Sequence, residues 1–429
     1  MTVTLRDLSY PSLSLGLLLA FAGCGASNGH GPDAASPPDA SDRDARSQVD
    51  AGDPDGAAPD AAPPDDSGAA QDASSVDGST RDGAADGSLP TDASSPDASV
   101  DPGCSADEDC DDGQPCTEDR CEDGLCIHAS TRVCDWPAEP TRDAENLTSV
   151  GRGEFSSDLS GAFYNPRTDV LWVCRNNGPS TVWALERDDS GDWRIAARGG
   201  RPAVWSHFGD AEAITQADLA DEDGVFVLDE ARGTVRWVDL SVGGDVRERR
   251  RWDLSAHIGG SGGEGMTFIP DAFLTAQGFV DGSGAPYVSR RGLGGLILVG
   301  HQGGGHVYAF DLDPDSDAFD LVGRYRSAAA ETAGLEFDRS TGQLFLWHDA
   351  DFDQLEVSWL SSHAEESGER RLDTVARYDG PAPLLFMSTN IEGIAIEPIE
   401  ACTMGTRGFY FTIDGGRLWS LYRYARFPC

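Results

Sequence analysis

A five-residue phrase recurs through the last two thirds of this chain. It reads Asp210-Ala-Glu212-Ala-Ile214, Gly262-Gly-Glu264-Gly-Met266, Glu331-Thr-Ala333-Gly-Leu335 and Asn390-Ile-Glu392-Gly-Ile394, with a degenerate first copy at Asp158-Leu-Ser160-Gly-Ala162. Copies lie roughly 50–70 residues apart, a period that signals a repeat architecture. Each opens a series of β-like runs separated by Gly, Asp, Asn and Pro turns. After the first copy come Val170–Cys174, Thr181–Leu185 and Trp193–Ala197, and the later copies are followed in the same way. Four strands per repeat predict an all-β chain, a β-propeller of five blades. A sixth blade is the alternative, hidden in the insertion 270–295, whose glycines read as a loop. A β-sandwich is the runner-up. The last repeat lacks a fourth strand, so residues 147–155 are expected to supply it and close the ring, which removes an open sheet edge.

The 429 residues carry a formal charge of -42, and all 32 basic residues are arginine. Nothing offers the basic face that phosphate contacts need, so nucleic acid is not an expected partner. Apolar residues concentrate in the last two thirds, enough for one sizeable core. Residues 1–24 read as an export signal. The apolar run from Leu13 to Ala22 is too short to span a bilayer, and Phe21-Ala22-Gly23-Cys24 resembles the bacterial lipobox, which implies lipidation at Cys24. Gly25 is not the Asp associated with inner-membrane retention, so the expected address is the outer membrane or cell surface. Residues 25–103 are almost wholly Asp, Ala, Pro, Ser and Gly, with 17 Asp against 3 Arg over 25–101. Such a segment buries too little to fold, and its charges extend it, so a disordered stalk is expected.

Residues 104–135 hold Cys104, Cys110, Cys116, Cys121, Cys126 and Cys134. In an exported chain this density implies three disulfides, with 15 connectivities open. The Asp-rich stretch 109–126 resembles small cysteine modules of myxobacterial surface proteins and the Dickkopf-like pattern. Cys402 and Cys429 share the last repeat and are expected to pair, while Cys174, in an apolar run, is expected to be a buried thiol.

In a propeller spanning 145–429 the first strand of each blade lines a central channel. The aligned column Ser160, Glu212, Glu264, Ala333, Glu392 would then meet at one channel mouth. The ends of the second strands, Asn176, Asp229, His301, His348, Asp349 and Asp414, would join it. Clustered carboxylates need a cation, protons or backbone donors. Glu212, Glu264, Glu392, Asp229 and Asp414 are the candidate metal ligands, and Ca²⁺ suits an irregular oxygen site. The bland alternative is that each Glu bonds the backbone of its neighbouring blade and locks the ring.

The x-x-Glu-Gly-aliphatic repeats, with second strands such as Gly224-Val-Phe-Val-Leu-Asp229, resemble the SdiA-regulated β-propeller proteins and, more distantly, the esterase-like-activity-of-phytase group. The resemblance covers about residues 150–429. It implies a secreted or periplasmic propeller with a divalent cation and no established reaction. Ser160 and Ala333 depart from the pattern, and the dense basic cluster a phytase uses is missing. The expected function is that of a surface-anchored binding module for a small molecule, glycan or envelope protein, held to the membrane through its lipid alone. A Ca²⁺-dependent phosphoesterase or esterase-like hydrolase, with Asp229 or His348 as general base, is the second reading, and a purely structural envelope protein is the third.

Overall fold

The computed structural model describes residues 103–429 apart from 111–116, 123, 131, 156–157, 261, 350–351, 383–389 and 415–417. The expected export signal, Cys24, the expected stalk to residue 102 and Cys116 lie outside the described residues. The described chain is overwhelmingly β, built as five antiparallel meanders, each opened by one copy of the phrase.

The opening strands are Leu159–Asn165, Ala211–Thr215, Gly263–Pro270, Gly334–Asp338 and Ile391–Ile396, and nearly every residue in them is buried. Second strands such as Val170–Arg175 and Gly224–Asp229 are likewise continuous buried runs. An antiparallel sheet with one wet face would alternate instead. Here both faces of each meander are covered by neighbours, and the outer strands, such as Asp245–Asp253 with its run of arginines, meet the solvent.

The core is divided into five parts, each shared by two consecutive meanders. Trp172 and Trp205 of the first meet Val225 and Val238 of the second. Phe226 and Trp252 of the second meet Phe268 and Phe310 of the third. Tyr325 of the third meets Phe337 and Leu346 of the fourth. Trp347 and Leu355 of the fourth meet Phe409 and Phe411 of the fifth. Tyr410 and Ala395 of the fifth meet Trp183 and Leu171 of the first, so the sequence of interfaces closes on itself. The third and fourth meanders are also joined at their outer strands, where Tyr325 and Arg326 pair in parallel with Arg370 and Arg371 to give one eight-stranded sheet.

The fifth meander is completed from upstream, as the missing fourth strand requires, but by different residues. Glu145–Asn146 pairs with Leu421–Pro428 at Tyr422 and Arg423, and 148–151 is a 3-10 turn. The strand stops because the Asn146 side chain accepts the Thr148 N–H (2.9 Å), starting the turn, while Leu147 and Phe155 turn into the core. In the first meander the fourth position is split between Trp193–Ile195 and Val204–Ser206, with the small hairpin Ala197–Arg198 and Arg201–Pro202 between them. The insertion 270–295 adds a short helix, Asp271–Ala276, and packs Phe279 on Tyr325 rather than forming a further sheet among the described residues.

Disulfides join Cys104 to Cys121, Cys110 to Cys126 and Cys402 to Cys429. Cys134 is also disulfide-bonded, and Cys174 is a free buried thiol whose ionisation burial opposes strongly. The cysteine module is pinned at its end to the meanders: Cys134 N–H donates to the Arg377 carbonyl (2.9 Å) and Asp379 N–H to the Cys134 carbonyl (2.6 Å). Trp136 then enters an aromatic cluster with Phe409, Phe411, Tyr424 and Phe427, at ring separations of 5.4–6.0 Å. Buried Glu139 accepts the backbone N–H groups of Ala425 (2.7 Å) and Arg426 (2.9 Å). With only two residues in the closing strand, these side chains carry much of the closure. Trp136→Ala is therefore expected to cost about 3 kcal/mol in urea unfolding, in the range for losing a large aromatic.

Candidate axial acidic site

The phrase residues reach the axis through β-bulges. The register between first and second strands shifts at Leu159/Ala162, Ala211/Ala213, Gly263/Met266 and Ile391/Gly393. The residues caught in these shifts include Ser160, Glu212, Glu264 and Glu392. A bulge adds a residue without a ladder partner and re-aims its side chain, so the polar residue is taken out of the in-out alternation that would bury it against a neighbouring meander. The fourth meander pairs from Gly334↔Trp347 without a shift, and there the column residue is Ala333.

The small residue that follows permits the convergence. A Cβ on Gly161 would stand 2.7 Å from the Ala213 Cα and the Glu212 carbonyl, and one on Gly265 2.7 Å from the Leu335 N–H nitrogen. Each phrase thus abuts the backbone of another. Glu212, Glu264 and Glu392 line one axial cavity with Gly161, Gly265, Gly334 and Gly393. It encloses about 10 Å³, room for a single water-sized sphere.

Three glutamates at so narrow a place cannot all ionise cheaply. Burial raises Glu212 to about 7, partly opposed by hydrogen bonds from Asn176 and Ser160. Burial, then the charges of Glu212, Glu230, Glu331 and Asp210, raise Glu264 to about 9. Burial and Glu212 raise Glu392 to about 9 against a hydrogen bond from Ser160. Asp414 rises to about 6, chiefly through a hydrogen bond shared with Asp158. Asn176 Nδ2 donates to Glu212 Oε1 (2.9 Å) and Asn390 Nδ2 to Glu392 Oε1 (3.0 Å). Glu392 Oε2 and Asn176 Oδ1 are enclosed without a hydrogen-bond partner among the described residues. Asp210, Glu212 and Glu230 each bring one oxygen within 4.8 Å of the others, a spread that a single cation could bridge.

The structure thus brings Glu212, Glu264 and Glu392 together, with Asp414 beside Glu392 through Asn390 Nδ2 (3.3 Å). Asp229 does not line that cavity: it is ion-paired with Arg232 (2.6 Å) and accepts the Asp210 N–H (3.3 Å) beside it. His348 is fully enclosed, 2.8 Å from Glu356, whose carboxylate also accepts from Ser358 and Thr374, so the histidine has no open face for a general base. His301 touches the Ile258 and Gly303 carbonyls at the edge of the mouth. Asp210 and Glu230 were not singled out as ligands from sequence. Asp210 is the first residue of its phrase, and Glu230 directly follows the second strand, so both positions carried the signal.

No protein-family model and no curated protein matches the chain. Among solved structures it is similar to Raptor of Chaetomium thermophilum, with a TM-score of 0.32 and 13% identity over 63% of this chain and 28% of that one. It is also similar to a functionally unknown protein of Desulfotomaculum acetoxidans, with a TM-score of 0.35 and 11% identity over 63% of this chain and 76% of that one. The chain therefore spans under a third of the Raptor chain it matches.

Proposed function

We propose that this chain is an exported lipoprotein whose five meanders form a five-bladed β-propeller acting as a binding module, with a Ca²⁺ site at the axial mouth. Cys24 and the acidic stalk hold it off the outer membrane or cell surface, where it engages a small molecule, glycan or envelope protein. Five core interfaces in cyclic order support the propeller. The observation that carries the site is the meeting of Glu212, Glu264 and Glu392 in one cavity, with no arginine paired to any of them among the described residues. A structural lock would spend each carboxylate on a backbone donor, whereas here one oxygen of Glu392 has no partner among the described residues. Oxygen donors alone, of mixed carboxylate and amide type, fit a hard divalent cation.

Asp210, Glu212 and Glu230 would hold the ion, and Glu264 and Glu392 stand close beside it with Glu212 in the same cavity. The bound ion would order the mouth and present a positive centre to a ligand oxygen. No specific observation favours the phosphoesterase reading: of its two candidate bases, His348 is enclosed with Glu356 and Asp229 is ion-paired with Arg232.

Thermal melting of the full chain tests the proposal. Millimolar Ca²⁺ should raise the melting temperature over the chelated protein, since a ligand at about 100 times its Kd adds about 2.7 kcal/mol. Glu212→Gln combined with Glu392→Gln should abolish the rise while leaving the fold intact. An equal melting temperature with Ca²⁺ and with chelator would remove the metal site.

A further inference from the structure

The opposite end of the opening strands holds a second cavity. It measures about 360 Å³ and is lined by Phe163, Tyr164, Phe337 and Ile396, from the far ends of three opening strands. That volume lies in the range of small-molecule sites, roughly 300–1,000 Å³. The Tyr164 hydroxyl is committed to Asp169 (2.5 Å), which leaves its ring as an apolar wall.

Glu336 lines this cavity and is only 3% exposed, and its Oε2 is enclosed without a hydrogen-bond partner among the described residues. Counting from each phrase, the positions level with it are Phe163, Thr215, Thr267 and Ala395, so the fourth meander alone carries a charge-bearing side chain at this depth. Of the charged residues that line the cavity, the exposed Arg167 and Glu400 stand at its rim with opposite charges, and the two beside Glu336 have partners of their own. Asp338 is bound to Arg407 (2.5 Å) and to the Thr341 hydroxyl (2.8 Å). Arg339 donates to the Gln216 and Ala217 carbonyls and lies over the Phe268 ring at 5.3 Å. Burial holds the Glu336 carboxyl well above its ordinary range, opposed by the charge of Arg339, so the group alone keeps its proton, and a bound cation would ionise it and release that proton.

A buried carboxyl without a partner is costly, and each such group calls for an explanation. Aromatic walls around an unmatched acid favour one class of ligand. A cationic amine supplies the missing charge and N–H donors to Glu336, while its apolar part lies against Phe163, Tyr164 and Phe337, whose faces also attract cations. An anion would meet the acid at its deepest point. We propose that this cavity binds a small organic cation, a protonated amine bearing a flat apolar group, with Glu336 as its anionic partner. The site stands on different residues from the axial mouth and does not depend on a metal there.

Calorimetric titration of the full chain with benzylamine, benzyl alcohol and benzoate near neutral pH tests it. Benzylamine, an ammonium ion there, should bind at least about tenfold more tightly than benzyl alcohol, the scale of a charge-assisted contact. Glu336→Gln should erase that advantage while melting no lower than the wild type, because it removes a buried ionisable group. Leu219→Trp, which places an indole at the cavity, should also block benzylamine and keeps the test decisive if Glu336→Gln does not fold. Equal or tighter binding of benzyl alcohol or benzoate would overturn the proposal. So would an unchanged benzylamine affinity in Glu336→Gln, as expected of diffuse attraction to an acidic protein, or the absence of saturable benzylamine binding.

Discussion

Freed of divalent cations, the protein should lose stability as the pH rises from about 5 to about 9. Glu212, Glu264 and Glu392 lose their protons near 4.5 in the unfolded chain, but near 7, 9 and 9 in the fold. Between those values the folded state binds more protons than the unfolded state. The stabilisation is complete below about 4.5 and is lost as each folded value is passed. Each group contributes about 1.4 kcal/mol per pH unit across its own window, so the melting temperature should fall by roughly 10 °C or more between about pH 5 and pH 9. The groups facing the three glutamates are Asp210, Glu230, Glu331, Asp414, Asn176 and Ser160, none of them a permanent cation. Added Ca²⁺ should flatten the profile by replacing the protons. Calorimetric melts in chelator at successive pH values check this, and a profile flat or rising toward pH 9 would contradict the clustered glutamates.

Gly393→Ala is expected to be among the most damaging single substitutions, at about 3 kcal/mol or more, because the clash is with backbone that cannot repack. A Cβ there would collide with the Ser160 carbonyl and lie 2.9 Å from the Ala162 nitrogen, at the contact where the fifth meander meets the first. Gly282→Ala provides the comparison. Its Cβ would meet the Gly323 Cα at an ordinary 3.4 Å, so its cost should stay within about 0.5 kcal/mol. Urea unfolding of both variants measures the difference. Comparable stabilities would mean that the first and fifth phrases are not in close contact.

The phrase made much of this legible. Its spacing gave the five opening strands, and its Gly or Ala marked where backbones crowd, because close approach leaves a direct trace in residue size. Bulges leave no such trace. Nothing in Asp210-Ala-Glu212-Ala-Ile214 distinguishes a glutamate re-aimed by a register shift from one in regular alternation, though the shift is what brings Glu212 to the axis. The closing strand was displaced by a few residues because Asn146 starts a turn, a choice made by a local hydrogen bond rather than by hydrophobic pattern. Asp229 and His348 end second strands as expected, yet Arg232, three residues on, and Glu356, across the next hairpin, claim them, and spacing does not say which of the nearby charged side chains turns toward them. Glu336 leaves no mark in the phrase itself, because it lies three residues past the column, at a level where the other copies carry Phe, Thr or Ala.

The central claim is that acidic side chains from separate meanders share one axial place and hold protons that a divalent cation displaces. Titrating Ca²⁺ into the full chain near pH 7.5, in two buffers of different ionisation enthalpy, counts those protons directly. Glu264 and Glu392 are still protonated there and stand beside the ion, whose charge favours their carboxylates, so binding should release up to about two protons per ion. Binding without proton release, or no binding heat in either buffer, would contradict the account.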